Sequence, residues 1–563
     1  MLAPRYVAST DSIQSRKTGS PMLRCLFALL LCTFLADALH GADVIEKDVC
    51  VYGGSAGGVM AAVQVARMGK SVVLIESGRH VGGISIDGLG SSDINNHKFK
   101  NDVALGGLAK EFYARIGKAY QKSTPVYKFE PHVAESVFLD LIKENKIDYL
   151  LDSRLSEAQP PAVSREGPRI KSIRLETGTK IRARVFIDAT IEGDLLAAAG
   201  VSTIIGREAN AKYGETRNGI RTSNTYRQFS VKVDPYIVPG DKTSGVIPTV
   251  QNEPLGTPGS ADQRIQAYCF RMCLTKNEGN RIPFEKPESY DPKQYEIYLR
   301  YMAAGGKVFT PVVNLPGAKT DLGSWHDLSA NLYGMNHAYP GGNYAVRKKI
   351  FEQHLSFTQG LVYFLANDPQ VPAETRKAWS LWGVCKDEFA DNAGWPRQFY
   401  VRDARRMVSD YVITERNTVK KDQAAVADPV GVAYWPPDTH HVRRIIQNGA
   451  CYNEGFVFGG DDWAPFSIAW RALIPKRGEC INLITPTCPS SSHIAYGAIR
   501  LEWTYMVLGQ SAGTAAVMAL EKNIPVQDVN YDVLRKRLKA DGQVLQLELI
   551  VPAKDDAKVE TEK

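Results

Sequence analysis

Between Asp48 and Gly83 the chain reads DVCVYGGSAGGVMAAVQVARMGKSVVLIESGRHVGG. Val49, Val51 and Tyr52 form a short apolar run that ends directly on six small residues, Gly53-Gly54-Ser55-Ala56-Gly57-Gly58, and a helical pattern carrying Ala61, Ala62 and Ala66 follows. An apolar run that feeds at once into a glycine turn and a helix predicts a buried parallel strand with a βα unit wound onto it. Gly53 allows a sharp turn, Gly58 and the alanines let the helix approach the sheet, and the free N–H groups of its first turn face whatever lies above. Ser71–Ile75 predict a second strand. Glu76 closes it about twenty residues beyond the glycines, where a carboxylate accepts from ribose hydroxyls and disfavours a 2′-phosphate. The stretch therefore reads as a dinucleotide-binding turn. Ser55 stands where the middle glycine of G-x-G-x-x-G belongs, so its side chain must turn out of the phosphate path or donate to it.

After Glu76 and five further residues comes Gly82-Gly83. This E-x5-G-G extension resembles the FAD-binding domain of the glutathione-reductase-type flavoproteins, and the resemblance implies that Ser77, Gly82, Gly83, Ile84 and Ser85 pass close to FAD. ISIDGLGSSDINN, Ile84 to Asn96, is expected to be a loop continuing across the cofactor, with Gly88 near the flavin ring. Pro131 opens a helix through PHVAESVFLDLIKENK, and IDYLL, Ile147 to Leu151, predicts the third parallel strand. By the same resemblance the backbone near Leu155 contacts adenine. Residues 156–170 hold three prolines and read as a loop, followed by a strand pair, Ile173–Leu175 and Ile181–Ile187. The second of these ends in Asp188-Ala189-Thr190 and runs into Glu192-Gly193-Asp194. Because open α/β sheets bind ligands beyond the carboxyl ends of their strands, Asp188, Ala189, Thr190, Gly193 and Asp194 are candidates for a second cofactor contact.

With 563 residues the chain exceeds what one core usually organises. The expected fold is α/β: a discontinuous Rossmann-like FAD-binding domain with a parallel sheet, plus an inserted α+β substrate domain. The boundaries are 44–205 and 476–535 for the FAD-binding domain, 206–475 for the insertion, and 536–563 for a charged tail. The net charge of +7 is spread along the chain with no basic run, which gives little support to nucleic-acid binding, and no nucleic-acid partner is expected. Met22-Leu23-Arg24 and the apolar run Cys25–Ala36 form a secretory signal that is too short to span a bilayer. With Ala36-Asp37-Ala38 as cleavage site and Gly41-Ala42 as a second small-residue stop, residues 22–42 predict export to the periplasm or beyond the cell, and no stable membrane span. Seven cysteines then remain, without the spacing of an iron–sulfur protein, and no metal site is expected.

The insertion is rich in Tyr, Trp, Pro, Asn and His. Arg402, Arg405, Arg406 and Ser409 are spaced i, i+3, i+4, i+7, which would put three guanidiniums on one helix face, either to hold an anion or as a solvated or acid-paired surface. His337 and His441 are candidate proton carriers. Cys480–Thr485 returns as a strand, PTCPSSSHIAYGAIR is a loop running into a helix, and LEWTYMVLGQSAGTAAVMAL a long helix in which Gly509 and Gly513 mark close packing against sheet or cofactor.

The blocks VYGGSAGGVMAA, VLIESGRHVGG, FEPHVAESVF, FIDATIEGDLLAAAGV, GWPRQFYVRDARRMVSDYV, SHIAYGAIRLE and LGQSAGTAA resemble the FAD-dependent oxidoreductases, a family related to the flavin domain of heterodisulfide reductase. The resemblance covers nearly the whole mature chain. It implies an FAD enzyme that takes a hydride from a small organic substrate, an anion among the candidates, onto flavin N5 and passes electrons to a separate acceptor. It also implies that the loop holding Ser492 and His493 returns to the flavin, which makes His493 the first catalytic candidate. Two other readings stay open at this point: a flavoprotein isomerase or lyase without net redox change, and a non-catalytic secreted carbohydrate-binding protein with structural FAD.

Overall fold

The computed structural model describes residues 43–222, 226–323, 326–460 and 462–547; the expected export signal at 22–42 and the end of the charged tail lie outside them. One seven-stranded sheet organises the chain: β1 (Val44–Tyr52), β2 (Val72–Ile75), β3 (Asp148–Leu150), β4 (Val163–Glu166), β5 (Arg169–Arg174), β6 (Lys180–Asp188) and β7 (Leu483–Ile484). The order is β3-β2-β1-β6, all parallel, with β7 parallel beside the carboxyl end of β6 and β5 and β4 antiparallel beyond its amino end. The register pairs Tyr52 with both Ile75 and Asp188, so the carboxyl ends of the three central strands lie level. The last four residues of β1 and all of β2 are buried, which explains their continuous apolar runs in place of alternation. IDYLL forms the expected third parallel strand, β3. The stretch 156–170, read as loop for its prolines, contains β4 and the start of β5; β4 is an edge strand, the position in which a sheet tolerates nearby proline.

Helices α1 (Ala56–Arg67), α2 (Gly107–Ala119), α3 (Pro131–Glu144), α4 (Asp194–Ala198), α5 (Tyr344–Asn367), α6 (His493–Ile499), α7 (Glu502–Lys522) and α8 (Tyr531–Ala540) complete the frame. Pro131 takes the first turn of α3, where its missing N–H costs nothing. α7 lies across α1 at backbone contact. A Cβ on Gly509 would stand 2.0 Å from the Gly57 carbonyl oxygen, and one on Gly513 2.6 Å from that of Ala61. Gly509 and Gly513 thus pack against the backbone of α1, a helix, where the sequence reading named sheet or cofactor.

One hydrophobic core joins β1, β2, α1, α2, α3 and α7, and a second gathers residues between Val233 and Phe399 with Cys451. Of the segment expected as an insertion, 206–475, Ile413 and buried apolar residues of 430–435 and 466–474 pack in the first core, because the strand Pro429–Ala433 lies against α7. Residues 401–405 are irregular, and Arg406–Met407 pair as a strand with Thr203–Ile204, so the helix read from the arginine spacing does not form. Its three guanidiniums separate. Arg402 donates to Asn331 Oδ1 at 3.2 Å, Arg405 to Asp194 Oδ1 at 3.0 Å, and Arg406 to Glu208 Oε1 at 2.9 Å. α8 continues the regular structure to Ala540, past the expected start of the tail at 536. Among the described residues no helix is long and apolar enough to cross a membrane, and the seven cysteines are buried and unbridged.

The α1–α7 contact makes a direct prediction. Gly509→Val should destabilise the protein by about 1–3 kcal/mol or more, the usual cost of overpacking a close contact, read as a lower denaturant midpoint. An unchanged midpoint would mean that the helices do not meet there.

Candidate functional site

The glycine turn is held from both sides. Gly53 N–H donates to the Ile75 carbonyl at 2.8 Å, Ala189 N–H donates to the Tyr52 carbonyl at 2.7 Å, and Gly53 has φ +109 with its missing Cβ directed 2.4 Å from the Thr190 nitrogen. Any side chain at 53 would collide with β6's exit. Ser55 caps α1: its Oγ accepts from Gly58 N–H at 3.2 Å and donates to the Ala189 carbonyl at 2.7 Å. The serine that broke the glycine pattern therefore turns its hydroxyl inward, away from the space over the helix N-terminus. Gly82 N–H donates to the Gly54 carbonyl at 2.7 Å, and a Cβ on Gly83 (φ +61) would stand 3.2 Å from Ser55 Cα. The second glycine pair is the strip along which the chain passes over the first.

Glu76 leaves β2 toward the same space. Its carboxylate accepts from Gly54 N–H and Gly78 N–H, each at 2.7 Å, and from Ser77 Oγ at 3.1 Å. Burial raises this carboxyl above its ordinary range while those donors hold it down. At the end of β6, Asp188 accepts from Thr190 N–H (3.0 Å), Thr190 Oγ1 (2.7 Å) and Leu196 N–H (2.8 Å), and burial pushes it up to about 7. Asp188 thus makes an Asx turn with Thr190 and accepts a free N–H of the first turn of α4. Asp194 instead receives a bidentate pair of bonds from Arg347, both at 2.7 Å.

These residues wall a cleft of about 240 Å³ at the carboxyl ends of β1, β2 and β6. Of the residues that the sequence reading singled out, Gly53, Ser55, Glu76, Ser77, Gly83, Ile84, Ala189 and Thr190 line it. A second lobe of about 270 Å³, sharing Ser77, Thr190, Glu192 and Tyr339, runs past Tyr52, Arg154, Asp194 and Tyr344. An elongated two-lobed cleft over a helix N-terminus, with a carboxylate partway along, suits a long ligand with a central anion. Other expected residues stand elsewhere. Gly54, Ala56, Gly57 and Gly58 shape the turn from behind, and Gly82 packs on Phe138. Ser85 is buried beside the cleft, and Gly88 meets the Arg271 carbonyl. Gly193 is the left-handed N-cap of α4, and Ser492 caps α6 through Ala495 N–H. Leu155 uses both backbone groups already, donating to Tyr52 Oη at 2.9 Å and accepting from Tyr344 Oη at 3.0 Å.

None of the candidate histidines lines the cleft. His493 begins α6, with Nδ1 3.2 Å from Asp403 Oδ2, and both side chains are buried. His337 accepts from Ile265 N–H at 3.4 Å, and burial drives it down to about 4; His441 packs edge-on to Tyr333 and is driven down to about 3. The far wall is built by groups the sequence reading left unused: Asp87, Arg397, Gln398, Phe399, Tyr400 and Glu502. Asp87 accepts from Arg397 N–H (3.0 Å) and Gln398 Nε2 (2.6 Å). Tyr400 Oη accepts from Arg500 Nη1 at 2.9 Å, and its ring lies 5.5, 5.0 and 5.8 Å from the guanidinium carbons of Arg271, Arg402 and Arg500. Burial pushes the phenol above its ordinary range, and Arg500, Arg271 and Arg402 pull it part of the way back. The signals for these were an aromatic and basic run, GWPRQFYVRD, and a lone acid heading an apolar helix, LEWTYMVLG. Among the described residues one group has the spacing of metal ligands, Glu130, His132 and Glu388, and Lys319 Nζ sits among it at 2.8 Å from Glu130 and 2.7 Å from Glu388.

The model of the family described as FAD dependent oxidoreductase matches residues 48–538. No curated protein matches the chain. Among solved structures, L-proline dehydrogenase from P. horikoshii is similar at 17% identity over 30% of this chain and 59% of its own, with a TM-score of 0.24. Thermovibrio ammonificans THI4 is similar at 14% identity over 34% of this chain and 76% of its own (TM-score 0.22), and L-amino acid deaminase from Proteus vulgaris at 15% over 30% and 54% (TM-score 0.21). The chain thus spans less than two thirds of the first and last of these.

His493→Ala should remove the ring beside Asp403 Oδ2, leaving the buried carboxylate with Gln266 N–H on Oδ1, and cost about 1–3 kcal/mol of stability, measured by denaturant unfolding. A variant of full stability would contradict a structural role for this histidine.

Proposed function

The chain belongs to the FAD-dependent oxidoreductase family, and we propose that it oxidises a small organic anion by hydride transfer and releases the electrons to a separate acceptor. The residues around the glycine turn fit the cofactor: Gly53, Ser55 and Gly83 line the cleft beside Glu76, Glu76 is the acceptor for ribose hydroxyls, and the first turn of α1 supplies N–H donors for the pyrophosphate. When bound, FAD supplies a hydride acceptor, and the protein's part is binding, orientation and electrostatics. Bonds from Gly54 and Gly78 fix the Glu76 carboxylate before any ligand arrives. In the second lobe, Arg347 and Arg405 hold Asp194 in place.

Tyr400 is the single observation that carries the substrate half of the proposal. A phenol on the wall of the cleft, bonded to one guanidinium and flanked by two more, is suited to receive a carboxylate or a developing oxyanion and to hold a proton close to it. Arg397, also on the wall, is balanced by Asp87 and orients that side of the cleft. An NAD(P)H-binding partner domain has no support in the sequence, which has no second strand–turn–helix of the glycine type.

Anaerobic titration of the purified protein tests this reading. Hydroxy acids, amino acids and uronates should include a substrate that bleaches the flavin, whereas bleaching by neutral sugars alone would overturn the anionic assignment. Tyr400→Phe should keep FAD and slow bleaching by roughly a hundredfold, the lower range for a proton-transfer group. Glu76→Ala should instead weaken FAD retention by about 1–3 kcal/mol, the scale of a lost charged hydrogen bond. Export is proposed on residues 22–42 alone. N-terminal sequencing of protein made in a host with a secretory pathway should find a start near Leu39 or Asp43, and an uncleaved cytoplasmic product would refute it.

A further inference from the structure

Glu502, the first residue of α7, is 6% exposed and forms part of the cleft wall with Ser55, Gly83 and Ile84. Its Oε2 is buried and has no hydrogen-bond partner among the described residues. The titratable groups that face it are two phenols, Tyr113 on α2 and Tyr505 on its own helix, and Tyr505 Oη is already joined to Tyr496 Oη at 2.8 Å. Of the other acids that line the cleft, Glu76 and Asp87 are answered by backbone N–H groups and by Arg397, and Glu192 has Arg347 as its nearby cation, so none of the three neutralises Glu502. A carboxylate shut away from water with no cation and no donor is costly. Burial accordingly lifts this carboxyl to about 8, so it carries a proton at neutral pH. A neutral carboxyl then presents an O–H that needs an acceptor, and the cleft is the open side on which one can arrive.

We propose that Glu502 meets the FAD held in this cleft as a neutral acid, donating its O–H to an oxygen of the cofactor, so that retention of FAD depends on that one proton. The proposal rests on the FAD reading above. Its sign is fixed: the protonated form is the binding form, so affinity is level below the carboxyl's free-state titration and falls above it by about tenfold per pH unit. Glutamine at this position keeps a donor that does not titrate, and leaves Tyr113, Tyr505, Glu76, Asp87 and Arg397 in place.

The experiment is a titration of the flavin-stripped protein with FAD, followed by flavin fluorescence, from mildly acidic to mildly alkaline pH. Wild type should bind evenly up to about pH 8 and lose about tenfold in affinity one pH unit higher. Glu502→Gln should bind within a few-fold of wild type at neutral pH and stay level throughout. Glu502→Ala should bind more weakly than wild type at neutral pH. The proposal is overturned if Glu502→Gln shares the wild-type decline, or if the alanine variant binds as tightly as wild type. Should the alanine variant fail to fold, infrared spectroscopy of the holoprotein decides: a protonated-carboxyl carbonyl band that vanishes in Glu502→Gln supports the proposal, and its absence from wild type overturns it. Failure of wild type to bind FAD at any pH would defeat the underlying FAD reading, and is distinct from an altered pH response.

Discussion

Everything in this fold that bears on function depends on how closely three strand ends approach one another. β1 leaves the sheet at Gly53 between the last residue of β2 and the first residues after β6, with Gly53 N–H bonded to Ile75 on one side and Thr190 pressed against its missing Cβ on the other. That approach fixes the direction of α1, and α1 points its first N–H groups over the place where Glu76 and Thr190 converge. A side chain at position 53 would therefore displace the turn, the helix and the exit of β6 together.

The second constraint is the packing of α7 on α1. Glycines at 57, 509 and 513 bring the two helices to backbone contact, and this places the head of α7, hence Glu502, on the wall of the cleft. The polypeptide between the two halves of the sheet returns Arg397–Val401 to the opposite wall, so the cleft is closed by residues more than three hundred positions from the turn they face. A cofactor cleft built in this way divides its tasks. The βα unit provides generic anion and ribose recognition, and the returning segment provides a phenol with three guanidiniums around it.

The parts of this arrangement that were legible in the sequence are those whose partners are near in the chain. Gly53, Ser55, Glu76 and Gly83 lie within one βα unit, where spacing and turn chemistry specify position, and the cleft gathers them. The parts that were not legible are long-range. Tyr400 and Glu502 acquire meaning only from Arg500 and from the α1–α7 contact, neither of which leaves a local pattern. His493 lies where the chain returns to the sheet, yet its ring is directed to Asp403 of the segment expected as an insertion, a choice made by tertiary packing. Spacing misled at Arg402, Arg405 and Arg406, because i, i+3, i+4 describes one face only if the backbone is helical, and here it is irregular through 401–405 and a strand at Arg406–Met407.

Cofactor content is the most direct measurement of the central claim, that the chain is organised around a turn that holds FAD. Purified protein released by heat or acid should yield one FAD per chain, identified by mass. Protein that folds fully and yields none, or yields a nicotinamide dinucleotide in its place, would contradict the account.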